Sequence, residues 1–253
     1  MNNGYIITSL DRGIRIVEAI LMEEKGLTPL ELEERFSIPK TTIFRILYTL
    51  QSQDWVQKRG DRYIAGHRFI KASMQALSGM ELRSISTPYL EKLSNSTGET
   101  SHIGVWAGKQ VMLIGVCDGP KHIRIANRAG SLAPSYSSSV GKVLLAYDVG
   151  SANVHDFFRN EELKQHTSNT LTDLGNLARE LDKIVEQGYA VDDREYHDNV
   201  RCVAAPVRNG FGNVIAAIGI TATTLTLTPE KVPEVSKKVI AIADEISYTL
   251  GVQ

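Results

Sequence analysis

The sequence predicts an α+β protein with an N-terminal winged helix-turn-helix, a helical linker and a C-terminal mixed domain on an antiparallel sheet. Three observations predict it. The first seventy residues run helix, short helix, tight turn, helix, hairpin, the order of a winged helix-turn-helix. Two helical stretches follow. Beyond residue 100, strands and helices mix without regular β-α-β alternation, which argues against a doubly wound parallel sheet. The chain has 253 residues, 42% hydrophobic and 23% charged, which is ordinary globular usage and favours two domains.

In the first helix, Leu10, Ile14, Val17 and Leu21 recur at helical spacing and are expected to face inward. Thr28-Pro29-Leu30-Glu31 reads as a helix start, with Thr28 capping, Pro29 first in the helix and Glu31 closing a capping box. Leu32 and Phe36 should point inward, Ser37-Ile38 should turn, and Pro39 should open a third helix. Its apolar face is Ile43, Ile46, Leu47 and Leu50; its other face shows Lys40, Thr41, Thr42, Phe44, Arg45, Tyr48 and Thr49. Residues 55–58 and 62–64 flank Arg59-Gly60-Asp61 as a short hairpin.

Charge is concentrated on this segment. The whole chain carries −1, yet residues 40–71 hold seven Lys or Arg against Asp54 and Asp61. A local basic surface on a near-neutral chain points to a polyanion bound by one module. Thr41 and Thr42 can bond bases or phosphates, and Arg45 can fork onto guanine. Lys40 suits the backbone, and Lys58, Arg59 and Arg62 at the hairpin suit phosphate or minor-groove contact.

Residues 67–80 read as a linker helix carrying Ile70, Met74 and Leu77, interrupted at Ser78-Gly79. A helix from Glu81 to Thr97 carries Leu82, Ile85, Tyr89, Leu90 and Leu93, and Pro88 should kink or restart it. Strands are expected at 100–106, 111–117, 122–128, from 189, at 202–208 and at 213–221, with helices at 140–147, 174–187 and from Thr228-Pro229 onward. The domain boundaries are thus 1–66, 67–80 and 81–253.

Site chemistry in the last segment is less explicit. A serine-rich run from Ser135 to Ser139, containing Ser137, opens a helix at Gly141. It reads either as an anion cradle or as an ordinary cap with tight glycine packing. It lacks the P-loop pattern, since Val143 follows Gly141-Lys142. Asp192, Asp193, Glu195 and His197 form either a solvated loop or the wall of a pocket, and His102 is either a buried core histidine or an added donor. Cys202, His197 and Asp192 can be drawn as a nucleophile, base and orienter, but match no catalytic signature. His102, His122, Asp192 and Cys202 lack helix-spaced ligand geometry. No enzyme, cofactor or metal site is expected. Two cysteines, Cys117 and Cys202, and no secretory leader or apolar span make the cytoplasm the default compartment.

The run from Ile38 to Leu50, with Ser9-Leu10-Asp11-Arg12-Gly13 and Asp54-Trp55-Val56, resembles the DNA-binding signature of the isocitrate lyase regulator (IclR) family. Thr97-Gly98-Glu99-Thr100, the run from Ser139 to Ala146, Gly188-Tyr189-Ala190 and the run from Arg201 to Val207 are similar to its effector-domain blocks. The resemblance covers nearly the whole chain, in order. It implies a GAF-like or profilin-like sensor domain, a carboxylate-bearing effector, a homodimer or dimer of dimers, and an effector pocket drawing on Gly141, Asp192, Cys202, Gly219 and Thr221. Two serines are usual at the last two of these positions. Gly219 removes one hydroxyl and Thr221 keeps the other, which suggests room beside Gly219 for a bulkier ligand; Asn199 stands where a glycine is usual. Together with His102, Ser137 and Ser139, these residues form the expected effector set.

The expected function is a ligand-responsive transcription regulator, most simply a repressor of a catabolic operon, that binds double-stranded operator DNA. The alternatives are a DNA-binding protein whose C-terminal domain only oligomerises, and a Cys202-dependent enzyme.

Overall fold

The computed structural model describes residues 5–78, 81–121, 125 and 127–252, apart from the side chains of 73–78. The chain divides into two compact units, Met1–Met80 and Glu81–Gln253.

The first unit contains α1 (Thr8–Met22), α2 (Pro29–Phe36), α3 (Lys40–Ser52), an antiparallel pair of β1 (Val56–Arg59) and β2 (Arg62–Ala65), and α4 (His67–Ser78). The capping box of α2 is complete. Thr28 Oγ1 accepts from the Glu31 amide at 3.2 Å, and the Glu31 carboxylate accepts from the Thr28 amide at 2.7 Å. Ser37 ends α2 in the left-handed region at φ 52, so the chain reverses into α3. Leu27 bonds to Tyr63 in both directions, an isolated bridge against the hairpin. Ile16, Ile20, Leu32, Ile43, Leu47, Val56 and Tyr63 close the core.

The stripe expected to bury α1 is not the one that does. Ile16, Ala19 and Ile20 are buried, whereas Leu10 and Ile14 are 59% and 50% exposed. Both faces of α1 are apolar, so periodicity alone could not choose between them. The outer stripe, with Val17 and Leu21, lines a cleft of about 990 Å³ alongside Ile46, Leu50, Trp55 and Phe69.

The second unit is built on one six-stranded antiparallel sheet, in the order β5-β4-β3-β8-β7-β6. Its elements in chain order are α5 (Glu81–Thr97), β3 (Thr100–Ala107), β4 (Gln110–Cys117), β5 (Leu132–Pro134), α6 (Ser139–Leu144) running into one π turn, α7 (Val154–Phe157), α8 (Leu174–Gln187), β6 (Ala190–Asp193), β7 (Val200–Arg208), β8 (Val214–Thr223) and α9 (Val232–Thr249). Helices cover both faces. Ser101 on β3 donates to the Leu90 carbonyl of α5 at 2.7 Å. Side chains alternate along a strand, so the neighbours Thr100 and His102 turn to the other face. There α6 packs across β4, β3, β8, β7 and β6, and α6 and α8 enclose Ala190, Ala204 and Ala217.

Pro88 does not break α5, which runs unbroken through it. A proline removes an amide donor; close by, the Thr87 hydroxyl donates to the Arg83 carbonyl at 2.9 Å. Of the strand expected at 122–128, residues 122–124 and 126 lie outside the described residues, and Ile125, Asn127 and Arg128 carry no strand. Among the described residues, the edge strand beside β4 is the three-residue β5.

The two faces of α3 should differ sharply in stability. Ile43 is fully buried and Tyr48 is 76% exposed. Ile43→Ala should cost roughly 2–5 kcal/mol, and Tyr48→Ala should stay within about 0.5 kcal/mol of the parent. Urea unfolding of both variants measures the contrast; equal effects would reverse the assignment of faces.

Candidate functional sites

The helix-turn-helix presents its polar face outward. Lys40, Thr41, Phe44, Arg45 and Tyr48 are exposed and Thr42 is half-buried. Lys40 Nζ lies 6.0 Å from the Phe44 ring centroid. At the hairpin, Lys58 and Arg59 are exposed, and Gly60 at φ 65 makes the tight reversal beside them.

Arg62 departs from the expectation of phosphate or groove contact. Its guanidinium forks onto Glu31, with both bonds at 3.1 Å, and also donates to the Gly26 carbonyl at 2.8 Å. Three of its five donors tie the hairpin to the capped start of α2, and the side chain stays 38% exposed. Sequence reasoning counted this arginine as free because nothing local shows a partner 31 residues away.

In the second unit, strand register assembles a polar row. Asp192 faces Cys202, Cys202 faces Thr221, and Thr221 faces Thr100. The next row is Ala190, Ala204, Gly219 and His102. Asp192, Cys202, Thr221, Thr100 and His102 are all buried. Asn127, which sequence reasoning missed, reaches into this cluster; its amide donates to Thr221 Oγ1 at 2.8 Å and lies 3.5 Å from His102 Nδ1. Thr221 Oγ1 also lies 3.4 Å from His102 Nδ1 and accepts from the Cys202 thiol at 3.5 Å. Donors directed at Nδ1 make it the acceptor nitrogen of a neutral ring.

Asp192 is not a solvated charge. One of its oxygens accepts the amides of Glu195 at 2.7 Å and Tyr196 at 3.3 Å, clamping the turn after β6. Asp193 pairs with Arg201 at 2.6 Å on the adjacent strand, and His197 is exposed. Burial pushes the Cys202 thiol well above its ordinary range, and the nearby Asp192 charge adds to this. A thiol held protonated, with His197 out in solvent, is not an activated nucleophile.

The glycines behave as packing contacts. A Cβ on Gly141 would lie 2.5 Å from the Ser135 backbone, and the Gly141 amide donates to the capping Ser138 hydroxyl at 3.2 Å. A Cβ on Gly219 would lie 2.3 Å from the Val203 carbonyl oxygen, so the missing side chain there leaves close strand packing and no added room. Unfilled capacity lies elsewhere: the hydroxyls of Thr100, Ser137 and Ser139 are buried with no hydrogen-bond partner among the described residues. Buried orphan hydroxyls of this kind are uncommon and call for a missing partner.

Lys142 is the largest surprise. It is fully buried on α6 beside Gly141, bonded to Glu195, 3.3 Å from Glu180 and 2.6 Å from the Val191 carbonyl. Burial alone would lower its pKa, but the charges of Glu195, Glu180 and Asp192 outweigh burial and raise it. A lysine inside the otherwise apolar run Val140 to Ala146 was the available signal. Among the described residues, no group of three or more His, Cys, Asp or Glu could hold a metal; His122 lies outside them. No described helix is long and apolar enough to cross a membrane.

The buried imidazole sets an acid limit. Desolvation lowers His102 to about 4, below its unfolded value near 6.5. Its neutral form therefore adds stability that is complete above about pH 6.5 and is lost as pH falls toward 4. His102→Asn should flatten the fall in melting temperature of the second unit between pH 6.5 and 4, measured by calorimetry. An unchanged fall would remove His102 as its source.

The bacterial transcriptional regulator IclR C-terminal family matches residues 74–248, and the IclR helix-turn-helix domain matches residues 9–60. The chain is 30% identical over 247 residues to the transcriptional regulator KdgR of Escherichia coli K12, covering 97% of this chain and 93% of that protein. It is 26% identical over the same length to the transcriptional repressor AllR of that strain, covering 97% and 91%. The solved structure of an IclR homologue from Microbacterium hydrocarbonoxydans, complexed with 4-hydroxybenzoate, superposes with a TM-score of 0.82 at 20% identity, covering 96% of this chain and 98% of that one. With both of its units matched in order, the chain belongs to the IclR family of bacterial transcriptional regulators.

Proposed function

We propose that the chain represses a catabolic operon, and that a small carboxylate metabolite changes its affinity for the operator. Residues 1–66 read DNA, residues 67–80 connect, and residues 81–253 sense the effector and oligomerise. The exposed polar face of α3 carries this reading: Thr41 and Arg45 stand clear of the unit's own core. In the major groove, Thr41, Thr42 and Arg45 meet base edges while Lys40, Lys58 and Arg59 meet phosphates; Phe44 and Tyr48 flank the contact.

The row of Asp192, Cys202, Thr221 and Thr100, with His102, Asn127 and the orphan hydroxyls of Ser137 and Ser139, is the effector site. AllR is a repressor by name and the Microbacterium homologue holds an aromatic carboxylate; both favour this reading. The unpartnered apolar stripe of Leu10 and Ile14 favours a dimer that reads two half-sites. The protonated Cys202 and exposed His197 favour a regulator without turnover. A DNA reader of this kind works in the cytoplasm.

Linkage sets the scale of control, since unequal affinity of the effector for two arrangements of the dimer shifts operator affinity. A coupling of about 1–3 kcal/mol gives roughly 5–150-fold control. The test begins with a duplex selected by the full chain from a random pool. Arg45→Ala should weaken binding to it by about 1–3 kcal/mol and leave thermal shifts by small carboxylates intact. Lys58→Ala should instead lower the salt dependence by about one contact. An Arg45→Ala chain that selects the same duplex with the same affinity would refute the groove assignment. Asp192→Ala should blunt the effector response while keeping operator binding in its absence, read by fluorescence anisotropy.

A further inference from the structure

The Asp192 row stands next to an unbalanced cluster of charge. Lys142 on α6 is the only cation bonded within it among the described residues. Three carboxyls surround it: Glu180 from α8, Glu195 from the turn after β6, and Asp192 from β6. Groups from the other packed elements do not correct the balance. Arg201 on β7 is taken up by Asp193 and the Leu227 carbonyl. Cys202 on β7 and His102 on β3 are neutral, and Thr221 on β8 carries no charge. Lys183 on α8 is exposed on the rim of a neighbouring cleft. Full ionisation would leave two more negative charges than positive in a region where Lys142, Asp192 and Glu195 are all nearly solvent-free.

The geometry marks where this excess is felt. Glu195 Oε1 sits on Lys142, but Glu195 Oε2 is buried with no hydrogen-bond partner among the described residues. An ionised oxygen left bare in the interior is costly, and the neutral carboxyl relieves that cost. Desolvation pushes Glu195 up to about 7 and Asp192 up to about 6, even with Lys142 beside them. The two interact, so a proton on them belongs to the pair. Glu195 also borders a cleft of about 550 Å³ with Glu180, Lys183 and Arg201.

An anion seated in the row against Asp192 adds a further negative charge to this surplus. We propose that an anionic effector enters the site together with one proton, held by the Asp192–Glu195 pair, so that the site takes up a small organic acid in net as its neutral form. This rests on the carboxylate-effector reading above. The balance is simple: carboxylate and proton arrive from solution, one O–H bond forms on the pair, and no covalent bond to the effector is made.

The test uses the full chain with 4-hydroxybenzoate and propionate as probes. Calorimetric titration at pH 8 in buffers of different ionisation enthalpy should count close to one proton taken up per probe bound. The Kd should weaken with rising pH above 7, with a slope approaching tenfold per unit above about pH 8. Glu195→Gln should cut the proton count and flatten that slope. Because this variant can disturb the fold, ¹³C carboxyl NMR of the unaltered chain provides a second reading: an Asp or Glu carboxyl should titrate near neutrality. Probe binding with no proton uptake overturns the proposal, as does finding every buried carboxyl ionised by pH 5. If neither probe shifts the melting temperature while a carboxyl still titrates near pH 7, the carboxylate-effector reading fails and the proposal falls with it. That outcome is distinguishable by the missing thermal shift.

Discussion

The buried ammonium of Lys142 is the constraint on which the sensor unit depends. It joins α6 to two later elements, α8 and the turn after β6. Removing one partner from a buried ion pair leaves an uncompensated charge, which costs far more than the pair contributes in place. The turn from Asp192 to Tyr196 is thus fixed twice, once by Lys142 on Glu195 and the Val191 carbonyl, and once by Asp192 on the amides of Glu195 and Tyr196. Asp192 can face Cys202 and Thr221 in a defined position only because this turn is held from behind.

The DNA-reading unit is held by a different device at lower cost. Glu31 closes the capping box of α2 and also receives the Arg62 fork. One carboxylate therefore fixes both the entry to the helix-turn-helix and the angle of the hairpin. The pair is half exposed, so its value lies in geometry more than in stability. With Arg62 engaged by Glu31, Lys58 and Arg59 are the exposed cations of the hairpin.

Much of this architecture was readable from local pattern. The α2 start was legible because Thr28, Pro29 and Glu31 act within one turn, and the inward face of α3 because Ile43 and Leu47 stand against a polar opposite side. The inward face of α1 was not, since Leu10-Ile14-Val17-Leu21 and Ile16-Ala19-Ile20 are both apolar and only the tertiary partner decides between them. The row proposed to take the effector was legible in part. Asp192, Cys202 and Thr221 could be named from resemblance, but their alignment is a matter of strand register across β6, β7 and β8, and a one-residue slip would turn each to the other face. Asn127 and the partners of Lys142 and Arg62 come from long-range contacts that no sequence spacing encodes. Gly219 was read as vacant space because a sequence shows a missing side chain and cannot show the Val203 carbonyl that occupies its place.

These two devices bear on how a signal can pass. The first unit carries its own core, caps and hairpin brace, and none of them uses a residue beyond 80. An effector bound in the second unit therefore has no need to refold the reading head. On the proposed reading it would change operator affinity by favouring one arrangement of complete heads over another, and the free energy for that is limited to its differential affinity for those arrangements. The element most directly able to carry that difference is α6. It bears Gly141 against the Ser135 loop and Lys142 against the charge cluster, and it lies across five of the six strands of the sheet. A shift of α6 by a ligand would have to move a buried ammonium between carboxylates, and packed interiors with paired charges do so between discrete states and not along a continuum.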